Sequence, residues 1–86
     1  MGCFAFFRQM TDEKRLQRDM LQAHEQEDLK ALPALYLEAA HLRESQGELD
    51  AACFFYTHAY VYALDCGDSK TADKARVKLR SFGRDL

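Results

Sequence analysis

Eighty-six residues make one small domain, of a size at which about 60–65 % of the unfolded chain's surface is buried and the core is marginal. The formal net charge is −2 with 30 % charged residues, which argues against a nucleic-acid binder held by a large basic excess. Three cysteines, an odd number, are no disulfide framework, and a reducing compartment, the cytoplasm, is the natural home.

Ala, Leu, Glu, Lys, Arg and Gln dominate the chain, a composition that favours helix. The charge is uneven: residues 1–24 carry +1, residues 25–68 carry −7 and residues 69–86 carry +4. Met1–Met10 is an apolar arm with Phe4, Phe6 and Phe7. Gly2-Cys3 suggests acylation, but Phe6 stands where the myristoylation pattern wants Ser or Thr. The start is short and lacks a basic leader, so no secretory signal is expected. Thr11 predicts an N-cap with Asp12 and Glu13 in the first turn. The following helix shows a narrow stripe of Leu16, Met20, Ala23 and Glu27 and breaks near Glu25–Asp28.

Pro33 fits only the first turn of a helix, which predicts a second helix over Pro33–Gln46, closed by Gly47. The next, from about Glu48 to Cys66, is the organising element. Its stretch Ala51–Leu64 is apolar on nearly every side, yet its fourteen residues fall short of the roughly 20 that span a bilayer. Such a helix must be covered from several directions. Cys53 and Cys66 would lie about 19 Å apart along it, beyond the reach of an intrachain bond. Gly67-Asp68 breaks the helix, and Asp68 or Ser69 caps a last one. There Ala72, Ala75, Leu79, Phe82 and Leu86 form one stripe, and Gly83 ends it. The expectation is an all-α chain of three to four helices: an N-terminal arm and helix over residues 1–28 and a helical unit over residues 29–86.

Tyr36, Ala40, Gly47, Ala52, Tyr56 and Ala59 stand at the spacing of a large residue, a small one, a turn glycine, a small one, an aromatic and a small one. The stretch resembles a tetratricopeptide repeat of the extended-helix variety. Helices in such a hairpin approach closely where Ala faces Ala, and aromatics fill the gaps. Arg43 and Leu64 depart from the pattern, and one repeat and a fraction are present where about three are usual. The resemblance implies a peptide groove along the first helix of the hairpin, lined by Leu37, His41, Glu44 and Ser45 with Ala34, acidic and apolar in character. It does not extend to the carboxylate clamp, because the chain has no Asn and no Lys between Ala31 and Ser69.

Glu38 and His41 form a Glu-x-x-His pair on one helix face, and two copies in a dimer would be needed for a di-metal site. His24, His41 and His58 are seventeen residues apart, which matches no zinc spacing. Cys53 and His58 fall on different helix faces, and no phosphate loop or nucleophile elbow is present. No enzyme, metal or cofactor is expected. The reading is a small interaction module or adaptor that associates with a protein partner or with itself. Phe54, Phe55, Val61 and Tyr62 are the expected oligomer face, because the first helix is too narrow to cover them. The alternatives are a membrane-peripheral protein held by Met1–Phe7 and a metal-binding helical dimer using Glu38 and His41.

Overall fold

A computed structural model describes the backbone of residues 2–84 and the side chains from Glu13 to Arg84. It contains four helices: α1 (Gly2–Glu25), α2 (Leu32–Ser45), α3 (Leu49–Cys66) and α4 (Ser69–Ser81), and no strand among the described residues. The fold is all-α. No helix of the described residues is long and apolar enough to cross a membrane.

The boundaries follow from local chemistry. α1 ends where Glu27 takes a left-handed φ of 52°, uncommon outside glycine, and the Asp28 N–H closes back on the Ala23 carbonyl at 2.8 Å. Pro33 sits in the first turn of α2 and is itself buried. Its missing N–H costs nothing there. Gly47 and Gly67, both at φ 77°, turn the chain out of α2 and α3. Asp68 caps α4 by accepting from the Thr71 N–H at 3.2 Å and the Thr71 hydroxyl at 2.6 Å. The N-terminus of α1 corrects the expected boundary. Thr11 is not the cap; the helix runs through it from Gly2. After Gly2 no residue of the arm forbids helix, and a Thr inside a helix costs only a few tenths of a kcal/mol, about 0.5. The Phe4, Phe6 and Phe7 side chains lie outside the described residues.

α2 and α3 pack as a close antiparallel hairpin, α4 covers a second side of α3, and α1 lies along α2. The core is built on small residues. Ala40, Ala52, Cys53, Tyr56, Ala59, Ala75 and Leu79 form one buried cluster, edged by Tyr36, Leu37, Phe55, Tyr60 and Phe82. Alanines let the helix axes approach, and Tyr56, wholly buried, fills the space between them. The stripe of α4 behaves as its periodicity predicts: Ala72, Ala75 and Leu79 are buried and Phe82 is half-buried, while Leu86 lies outside the described residues. In α1, Leu16 and Ala23 are buried and Met20 is half-buried, but Glu27 is exposed beyond the helix end.

Candidate functional site

α2 presents one face between α1 and α4, and His41 stands at its middle. Two hollows adjoin there. One, of about 390 Å³, is lined by Arg15, Leu16, Glu38, His41 and Leu42. The other, of about 350 Å³, is lined by His41, Asp73, Lys74, Val77 and Lys78. Val77 is 64 % exposed, the most exposed of the large apolar side chains described.

Beneath this face runs a hydrogen-bonded chain. The Tyr56 hydroxyl donates to Glu44 Oε1 at 2.5 Å and lies 3.0 Å from His41 Nδ1. A hydroxyl has one proton to give, so His41 Nδ1–H is the donor to Tyr56. Lys78 Nζ donates to the other Glu44 oxygen at 3.1 Å. The Tyr56 bond, then Lys78, holds the Glu44 carboxyl below the usual carboxylate range. Burial, then Glu44, pushes the Tyr56 phenol up, so it is a donor and not a base. On the α1 side both Glu38 oxygens accept from Arg15 at 3.0 Å.

Of the expected groove residues, the structure places His41 and Glu44 together through Tyr56. Leu37 is half-buried against the core, and Ser45 is exposed with its hydroxyl turned back to the Leu42 carbonyl at 2.6 Å. Glu38 and Glu44 are answered within the chain by Arg15 and Lys78. α4 adds Lys70, Lys74 and Lys78, spaced by four on one face. Lys74 shares its hollow with Asp73, and its charge also acts on the Asp68 carboxylate. The sequence carried this signal in the charge of residues 69–86, but not the helix that α4 would stand beside. Glu38 and His41 are drawn to different partners, Arg15 and Tyr56. Among the described residues no group of three or more His, Cys, Asp or Glu side chains could hold a metal ion.

The expected oligomer face divides in two. Phe54 and Val61 are 57 % and 49 % exposed, and Leu64 joins them at 57 %. Phe55 and Tyr62 are instead half-buried around Tyr36, whose ring lies 6.0 Å from Phe55, 5.1 Å from Tyr62 and 5.5 Å from His58. His24 of α1 closes this cluster, with Nε2 3.0 Å from the Tyr36 hydroxyl and its ring 6.0 Å from Tyr62. The aromatic face is thus partly covered from α1, which its narrow stripe does not predict. No protein-family model, curated protein or solved structure matches the chain.

Proposed function

We propose that the chain is a non-enzymatic interaction module whose α2–α4 face receives an acidic, apolar segment of a protein partner, and that the α2–α3 hairpin is a repeat-like unit of the tetratricopeptide kind. One observation carries the first part: exposed Val77 lies with Lys74, Asp73 and His41 in one hollow, and the nearby Glu44 carboxylate is paired with Lys78. Val77 gives an apolar floor, and Lys74 a cation at its rim with Asp73 also in the lining, so the hollow suits an apolar side chain with a carboxylate turned toward Lys74. Ala40, Ala52 and Ala59 buried in the hairpin, and the left-handed Gly47 between its helices, support the second part.

The probe is a labelled peptide of alternating Leu and Glu, titrated into isotope-labelled protein. Amide shifts centred on His41, Lys74 and Val77, weakened at least tenfold by Lys74→Glu, are the expected result. Shifts confined to α1 or α3, or indifferent to Lys74→Glu, would sink the proposal.

Self-association is the second half of the reading, favoured by Phe54, Val61 and Leu64, which stand exposed on α3. The cytoplasm remains the proposed compartment, since Cys53 is a buried free thiol and Cys66 is likewise unbridged.

A further inference from the structure

The Tyr56 hydroxyl decides what His41 can offer a ligand. Its one proton goes to Glu44 Oε1 at 2.5 Å. Lys78 donates to the other oxygen of that carboxylate at 3.1 Å, and the two donors together keep Glu44 ionised. His41 Nδ1, 3.0 Å from the same hydroxyl, must therefore carry a hydrogen and donate it. A neutral imidazole has one N–H. With that N–H committed to Tyr56, Nε2 of neutral His41 holds a lone pair and no hydrogen. The ring is exposed and lines both hollows, so Nε2 is the atom left for a ligand. An ionised carboxylate only accepts hydrogen bonds. Against neutral His41 it would bring acceptor to acceptor; against the imidazolium it gains a charge-assisted bond.

Neutral His41 also stands among charges that cancel. From α1 comes Arg15, which donates to both oxygens of Glu38 on α2 at 3.0 Å. Glu44 of α2 is paired with Lys78 of α4. Asp73 and Lys74 of α4 line one hollow together. From α3 comes Tyr56, whose burial and whose bond to Glu44 keep the phenol protonated. Three cations thus stand with three carboxylates around the ring. Imidazole is the side chain type among these that ordinarily changes charge between about pH 5 and 8. Its protonation does two things at once: it puts a hydrogen on Nε2, and it gives a balanced face a net positive charge.

We infer that His41 Nε2 is the contact that receives the partner's carboxylate, and that it does so as the imidazolium: the α2–α4 face takes up a proton together with its acidic segment. This rests on the reading of that face given above and names the atom and the charge state that do the binding. Tyr56 is a positioning residue in this scheme. By holding Nδ1–H it denies neutral His41 the tautomer that could donate through Nε2, and so makes carboxylate binding depend on the proton.

The experiment titrates the full-length chain with the Leu–Glu peptide at about pH 5.5 and about pH 8, either side of the ordinary imidazole range. Ordinary Glu and Lys side chains titrate near about 4.3 and about 10.4, so the peptide's acids and the protein's lysines keep their charge across this window. Wild type should bind about tenfold more tightly at the lower pH. His41→Gln, whose amide donates at either pH, should differ by less than about twofold between the two. His24 and His58 remain in that variant, so a dependence that survives it belongs to them and would overturn the inference. Tyr56→Phe, checked by its amide spectrum for an intact fold, frees Nδ1 and should bind more tightly than wild type at about pH 8; equal or weaker binding would overturn the role of Tyr56 and the inference with it. Imidazole nitrogen spectra of the wild type at about pH 8 should place the His41 proton on Nδ1, and a proton on Nε2 would overturn the inference whether or not Tyr56→Phe folds. Equal wild-type affinity at the two pH values would overturn it too and leave the peptide site standing. Absence of binding at both would remove the site and the inference together.

Discussion

Tyr56→Phe removes one oxygen from a side chain with no exposed surface. Ring packing against Phe82, at a centroid distance of 6.4 Å, is kept. What goes is the bond to Glu44 Oε1 at 2.5 Å and the acceptor for His41 Nδ1–H. A hydrogen bond to a charged group contributes about 1.5–3 kcal/mol. Glu44 retains Lys78 and is 28 % exposed, so water recovers part of the loss, and the expected cost is about 1–2 kcal/mol. For a chain of this size that lowers Tm by roughly 5–15 °C. The cost also depends on pH. The Glu44 carboxyl is held below its ordinary range, chiefly by Tyr56. Its contribution is therefore fully present above the ordinary carboxylate range and is lost as pH falls through the lowered value. Urea unfolding of wild type, Tyr56→Phe, Glu44→Gln and the double variant at neutral pH and near pH 3 checks both claims. The double variant should cost less than the sum of the singles at neutral pH, and the Tyr56→Phe cost should shrink in acid. A cost below about 0.5 kcal/mol at neutral pH, the range of ordinary surface changes, or a cost independent of pH, would refute the role given to this chain of bonds.

Gly67→Ala isolates backbone strain, because a Cβ there meets nothing within 4 Å while φ stays at 77°. It should cost about 1–2 kcal/mol in urea unfolding, and Gly67→Asn clearly less; equal costs would point away from the left-handed conformation. Ala40 is wholly buried in the hairpin, so Ala40→Leu should cost about 1–3 kcal/mol by overpacking. Ala34→Leu, on the exposed side of the same helix, should stay within about 0.5 kcal/mol. Comparable midpoints for these two would contradict the close approach of α2 and α3.

The elements were legible wherever the signal lay within a turn or two. Pro33, Gly47, Gly67 and Asp68 each decide the conformation of their own neighbourhood, and the structure puts helix ends at all four. The start of α1 was misread because Thr11 is as tolerable inside a helix as it is favourable at a cap. The candidate site was only half legible. His41 and Glu44 belong to α2 and were singled out by the resemblance to a tetratricopeptide repeat, whereas Arg15, Lys74, Val77 and Lys78 come from other helices. Phe55 and Tyr62 looked surplus because the inward turn of His24 and Tyr36 has no trace in the spacing of either.

The sequence by itself determined an all-α chain of three to four helices, the ends marked by Pro33, Gly47, Gly67 and Asp68, and the buried stripe of α4, since a 3.6-residue period and a cap depend on neighbours along the chain. Only the tertiary structure decided which charges meet. Glu38 is answered from 23 residues away and Glu44 from 34, and such pairs depend on the angles at which helices cross and on which alanines let them approach. Those angles set Arg15 against Glu38 and Lys78 against Glu44, and bring Lys74 and Val77 of α4 beside His41 of α2.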